Sequence, residues 1–198
     1  MAGAVRTFVC IELPDRDRER LEAVSRGFAE RDVRVAWVAP VNMHVTLAFL
    51  GDVAIDIVPT VIETVRTVAT TVGPLSLAVR GMGAFPNARR PRVLWAGLSG
   101  DVPELTKLAA TIDSALGPLG FGPSGKPFRA HVTLGRIKAD RDPAAARLAS
   151  EAERVALELE PFTAAEVVVM RSDLEPRGAR YTPLARLPLT GPPTSESR

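Results

Sequence analysis

Hydrophobic and polar positions alternate along much of the chain, and where they do not they recur at helical spacing. Residues 7–13 (Thr-Phe-Val-Cys-Ile-Glu-Leu) read as a buried strand closed by Pro14. Asp15 is placed to cap a helix carrying Leu21, Val24 and Phe28 on one stripe. Val33, Val35, Trp37 and Val38 mark a strand ending near Pro40, and the apolar run 41–50 marks another, closed by Gly51-Asp52. Val61, Ile62, Val65, Val68 and Val72 predict a helix over 58–72, with Pro59 in its first turn.

Strands follow at 75–79 and 92–98, separated by residues 81–91, whose glycines and prolines predict a loop. Asp101 and Glu104 have the spacing of a capping box ahead of Leu105, Leu108 and Ile112. A Gly/Pro-rich loop at 117–125 leads to a strand at 128–137. Asp142-Pro143 opens a helix expected to reach Leu157. Two last strands, 165–171 and 181–189, flank a turn at 175–178. The order predicts an α+β fold with largely antiparallel pairing rather than strict βαβ alternation. Residues 1–189 are expected to form one bilobal domain with an internal repeat, and 190–198 a disordered tail.

Composition narrows the classes. No apolar run approaches the roughly 20 residues that span a bilayer. The first six residues lack the charged-then-apolar order of a secretory signal, so a cytoplasmic protein without membrane contact is expected. A net charge of +2 does not by itself call for nucleic acid. Cys10 is the one cysteine, and with two histidines it makes a poor zinc set; neither metal nor cofactor is expected.

The chemistry lies in a repetition. His44-Val45-Thr46-Leu47 returns as His131-Val132-Thr133-Leu134, 87 residues on, and these are the chain's only histidines. One such tetrapeptide means little, because a strand histidine is usually a hydrogen-bonded structural residue. A pair that accounts for every histidine points to a site. In a strand, His and Thr of each copy share one face and Val and Leu the other. Two similar lobes, each presenting one His/Thr strand to a shared cleft with helices outside, is the simplest arrangement.

Breaking a phosphodiester needs one proton removed and another delivered, on opposite sides of phosphorus, and imidazole suits both near neutral pH. Each threonine lies about 7 Å along the strand from its histidine and could donate to a phosphate oxygen. Arg129, two before His131, is the best cationic partner for phosphate. Arg136 falls on the wrong face by parity unless Gly135 bulges the strand. Asn42, equivalent in position to Arg129, reads rather as a turn amide. Core packing is the preferred reading of Phe85, Trp95 and Tyr181 over base stacking, and surface charge that of Arg89, Arg90 and Arg92.

The paired motifs resemble those of the two-histidine (2H) phosphoesterase superfamily, specifically the LigT-like RNA 2′,3′-cyclic phosphodiesterases. The likeness extends to residues 6–14, 38–53, 85–98 and 128–136, and to Ser172, Leu174, Tyr181 and Pro188-Leu189. It implies two lobes around a cleft and metal-free hydrolysis of RNA 2′,3′-cyclic phosphate ends to 2′-phosphates, with weak reverse 2′-5′ RNA ligation. It also implies His44 as proton donor and His131 as proton acceptor, and Arg136 resembles a basic residue common after the family's second motif; with Thr46, Thr133 and Arg129, read from their strand positions, Arg136 is expected to bind substrate. The residues alone leave the acid and base roles open. They leave open too a 2′-5′ oligonucleotide or small cyclic nucleotide phosphate as substrate, or a nucleotide- or RNA-binding module without turnover. No obligate protein partner is evident. Ala130 and Gly135 depart from the proline and alanine common at those places.

Overall fold

The computed structural model describes residues 3–29, 31, 33–122, 125, 127–138, 142–176 and 178–192. In chain order it runs β1 (Ala4–Glu12), α1 (Asp15–Ala29), β2 (Val35–Trp37), β3 (His44–Ala54), α2 (Val58–Ala69), β4 (Leu75–Phe85), β5 (Val93–Gly100), α3 (Val102–Leu116), β6 (His131–Ile137), α4 (Pro143–Ala152), β7 (Phe162–Ala164), β8 (Glu166–Glu175) and β9 (Gly178–Pro188). The strands form one antiparallel sheet in the order β7-β4-β5-β6-β3-β1-β8-β9, with β2 paired to β6.

Two four-strand halves, β7-β4-β5-β6 and β3-β1-β8-β9, therefore meet where β3 touches β6. The expected α+β class with two antiparallel lobes is what is found, though the lobes share a continuous sheet. The seam is a single pairing, Val45 with Val132. Beyond it β3 and β6 part, and β2 takes the β6 edge at residues 135–137. The 87-residue offset between the motifs also carries α1 onto α3, residue for residue.

The main core fills the space between sheet and helices. Val45 and Val132 are fully buried there, as are Leu21 of α1, Val61 and Val65 of α2, and Leu105 and Leu108 of α3. A smaller cluster of Phe8, Cys10, Val168 and Met170 lies on the other face of β1 and β8, with Tyr181 packed on it. β1 is thus buried on both faces, which its unbroken apolar run from Phe8 to Ile11 requires.

Several expectations are corrected. Residues 81–85, read as loop, continue β4 past a bulge between Val79 and Met82. The glycine there is needed for packing, since a Cβ at Gly83 would meet the Trp95 ring. Asp101 does not close a capping box; its Oδ2 accepts the Ser76 N–H at 2.8 Å and ties α3 to β4 instead. Asp142 caps α4 as expected, accepting the Ala144 N–H at 2.8 Å, but α4 stops at Ala152, short of Leu157. The last two strands are longer than expected and form a hairpin whose final pair is Glu175 with Gly178. The first residues of the expected tail are attached, Gly191 N–H donating to Val72 O at 3.0 Å; residues 193–198 lie outside the described residues. Among the described residues, no helix is long and apolar enough to cross a membrane.

Candidate active site

Because Val45 faces Val132 in an antiparallel register, His44 lies across from Thr133 and Thr46 across from His131. The four side chains form a square on the sheet face opposite the helices, with the histidines on one diagonal. Diagonal neighbours of this kind are about 7–8 Å apart, their Cβ atoms somewhat less, a spacing suited to one tetrahedral phosphate. The burial pattern fits: in each motif Val and Leu are buried, while His and Thr are half-buried.

Both rings are held the same way. His44 Nδ1–H donates to the Asn42 carbonyl at 2.7 Å, and His131 Nδ1–H to the Arg129 carbonyl at 2.6 Å. A carbonyl can only accept, so each neutral ring carries its proton on Nδ1 and directs a bare Nε2 outward. Thr46 Oγ1–H donates to Nε2 of His44 at 3.0 Å. His44 stacks on Phe8, ring centroids 4.8 Å apart, and meets the edge of Tyr181 at 5.4 Å. His131 stands perpendicular to Phe85 at 4.9 Å.

Each motif is followed by the same irregularity. The register skips Leu47 between Cys10↔Thr46 and Val9↔Ala48, and skips Leu134 between Trp95↔Thr133 and Leu94↔Gly135. The bulge after the second motif reverses strand parity, as bulges do. It brings Arg136 to the His/Thr side, where Arg136 lines the cleft with His44, Thr46 and Thr133. Parity counting alone put it on the wrong face. Gly135 allows this because β2 lies against it: a Cβ there would be 2.6 Å from Val35 Cγ1 and 2.9 Å from Trp37 Cε3.

The two histidines open into different depressions. One, of about 520 Å³, holds His44, Thr46, Thr133 and Arg136 together with Arg6, Phe8, Phe49 and Tyr181. The other, of about 620 Å³, holds His131 and Arg129 beside Phe85, Pro86, Arg92 and Val93. Arg129 therefore stands on the His131 side alone, its guanidinium 5.5 Å from the centre of the Phe85 ring. The single cleft expected from the sequence is a pair of depressions, with His44, Thr46 and Thr133 in one and His131 in the other.

The sequence model of the family described as "LigT like Phosphoesterase" matches residues 11–95 and 98–181. The chain is a LigT-like phosphoesterase.

Relatives agree over nearly its whole length. It is 32% identical over 180 residues to a Methanothermobacter thermautotrophicus protein named RNA 2′,3′-cyclic phosphodiesterase, covering 90% of this chain and 95% of that one. It is 31% identical over 193 residues to a Thermus thermophilus protein of the same name, covering 94% and 91%. Among solved structures, TT0787 of Thermus thermophilus superposes with a TM-score of 0.77 at 25% identity, covering 94% of this chain and 98% of that one. Escherichia coli LigT in its apo form gives 0.72 at 25% identity, covering 95% and 99%.

In this phosphoesterase burial pushes both imidazoles below the ordinary histidine range. For His44 the Asn42 carbonyl and the charge of Glu12, its cross-strand neighbour on β1, partly oppose that effect, while His131 adds to it. For His131 the Arg129 carbonyl opposes it and the positive charge of Arg136 reinforces it. Three cleft residues escaped the reading of the sequence, among them Phe49, which the bulge after the first motif turns to the His/Thr side. Arg6, its guanidinium 4.8 Å from the centre of the Phe49 ring, and Phe8 share β1 parity with Cys10, so strand parity extended from Phe8 would have found them. Cys10 itself is fully buried beneath the cleft. Among the described residues no group of three or more His, Cys, Asp and Glu converges as a metal site.

Proposed function

We propose that this phosphoesterase hydrolyses the 2′,3′-cyclic phosphate at RNA ends to a 2′-phosphate, with His131 as general base and His44 as general acid. The observation that carries the reading is the pair of histidines set diagonally across the Val45–Val132 pairing, each holding its proton on Nδ1 through a backbone carbonyl. Relatives from archaea and bacteria bearing the name RNA 2′,3′-cyclic phosphodiesterase supply the substrate class.

The terminal nucleoside occupies the His44 depression, its sugar next to the phosphate. Water then approaches phosphorus from the His131 side, in line with the O3′ that leaves towards His44. Nε2 of His131 takes the water proton as the new P–O bond forms. The P–O3′ bond breaks, and O3′ takes a proton from Nε2 of His44, which is protonated once the phosphate anion is bound because that charge raises its pKa. Thr46 and Thr133 donate hydroxyls to the non-bridging oxygens, and Arg136 supplies positive charge where the transition state is most negative. Arg129 serves the water side, holding the His131 ring through its carbonyl. An RNA 5′-hydroxyl attacking from the water position would give a 2′-5′ linkage by the same proton transfers.

Incubation of an oligonucleotide ending in a 2′,3′-cyclic phosphate with the protein in EDTA tests the proposal. A 2′-phosphate product is expected; unchanged substrate or a 3′-phosphate would refute it.

A further inference from the structure

Asn42 does two things at once. Its carbonyl holds the His44 ring, and its side-chain Nδ2–H donates at 2.6 Å to the carbonyl of Ala179, near the tip of the β8–β9 hairpin. That bridge crosses a groove. On its inner side lies the His44 depression; on its outer side lies a third one, of about 570 Å³, to which Trp37, Val41 and Arg180 contribute. The inner and outer depressions have Val38, Asn42, Arg136, Ala179 and Tyr181 as common walls. The depression around His131 shares none of its lining with either. The two depressions on the His44 side therefore adjoin, with the Asn42–Ala179 hydrogen bond in their common wall, and together they offer more length than one nucleoside requires.

In-line geometry says which way the RNA must run. The attacking water needs the His131 side, so the chain 5′ to the cyclic end has to leave on the His44 side, and the outer depression is the continuation there. Arg136 stands on the boundary between the compartments and Arg180 in the outer one, where Glu175 is the carboxylate in the lining, so the two arginines leave a net positive charge along the path of a phosphodiester backbone. Val41, 75% exposed, offers apolar surface beside them.

We propose that the outer depression is a subsite for the nucleotide immediately 5′ of the cyclic phosphate, which makes the substrate an RNA end of at least two nucleotides rather than a free cyclic mononucleotide. This rests on the hydrolase reading above and extends it. The phosphodiester joining the last two nucleotides lies against Arg180, with Arg136 between it and the reacting phosphate, and the penultimate base lies over Val41.

The test compares kcat/KM for adenosine 2′,3′-cyclic phosphate and for the dinucleotide ApA ending in a 2′,3′-cyclic phosphate. The dinucleotide is expected to be better by about tenfold or more, since binding energy from a remote group can be used at the reacting centre. In Arg180→Glu the ratio of the two constants, measured within the variant, should fall to about threefold or less, with the change mainly in the dinucleotide KM. Equal kcat/KM for the two substrates, or an unchanged ratio in Arg180→Glu, overturns the subsite while leaving the hydrolase standing. No turnover of either substrate by the unsubstituted protein overturns both.

Discussion

Trp37 lies against the backbone of Gly135, so closely that a Cβ on residue 135 would stand 2.9 Å from Trp37 Cε3. The contact joins β2 to β6 at the bulge that turns Arg136 into the cleft. Gly135→Ala must displace Val35 or the indole, and overpacking of this kind costs about 1–3 kcal/mol. Urea unfolding should show that loss, and kcat/KM on a cyclic-phosphate substrate should fall with it as Arg136 is displaced. A variant as stable and as active as the parent would mean that the bulge does not depend on the missing side chain.

His44→Ala and His131→Ala should each lower kcat by about 10²–10⁴-fold, with the circular dichroism spectrum preserved because both side chains face the cleft rather than the main core. The double variant should be little worse than either single one, because the two groups act in one step and their losses do not add. Steady-state kinetics on all three proteins check this; additive losses would place the histidines in separate steps.

Burial holds both histidines below the ordinary value of about 6.5. With folded values lower than unfolded ones, the unfolded chain binds more protons as pH falls through that region, so folding stability is full above pH 6.5 and declines below it. Unfolding free energies measured between pH 5 and about 7.5 should show this slope, and His44→Ala with His131→Ala should flatten it.

Activity follows the same shifts. With His131 as the proposed base and His44 as the proposed acid, the free enzyme loses the base as pH falls and the acid as pH rises, both through values held below the ordinary histidine range, so kcat/KM should peak below about pH 6.5. The kcat profile should peak at higher pH, because bound phosphate favours protonated His44. Coincident profiles, or a flat one, would argue against paired imidazoles.

Asn42→Ala removes the amide that holds the hairpin but keeps the carbonyl that holds His44. Loss of the hydrogen bond should cost about 1 kcal/mol. KM should rise with kcat nearly unchanged, since the loosened wall bounds the nucleoside rather than the reacting atoms.

Much of this was legible in the residues. The duplicated tetrapeptide gave the faces of β3 and β6 correctly, because period-two patterning is local and the buried Val and Leu enforce it. What strand periodicity could not deliver was the bulge after each motif, which depends on partner strands: Leu134 is skipped because Leu94 and Trp95 pair around it, and Arg136 follows from that. The loop expected at residues 81–85 failed for a related reason, since glycine there answers to Trp95 across the sheet and not to a turn. The capping box failed because the Asp101 carboxylate had a partner in β4, 25 residues upstream, that no local pattern reveals. Arg129 stands beside the second histidine, as its strand position suggested, but in a different depression from Arg136, which lies beyond the bulge at the far end of β6.

That splay begins at one rung. Val45 and Val132 are the sole paired residues between β3 and β6, and a histidine stands next to each of them on opposite strands. The least firmly stitched line in the sheet thus runs between the two histidines, like the spine of a half-open book with one imidazole on each page. A rotation of one half against the other about that rung is the motion that alters the gap between the imidazoles, and β2, paired to β6 at residues 135–137, fills the edge where the pages part.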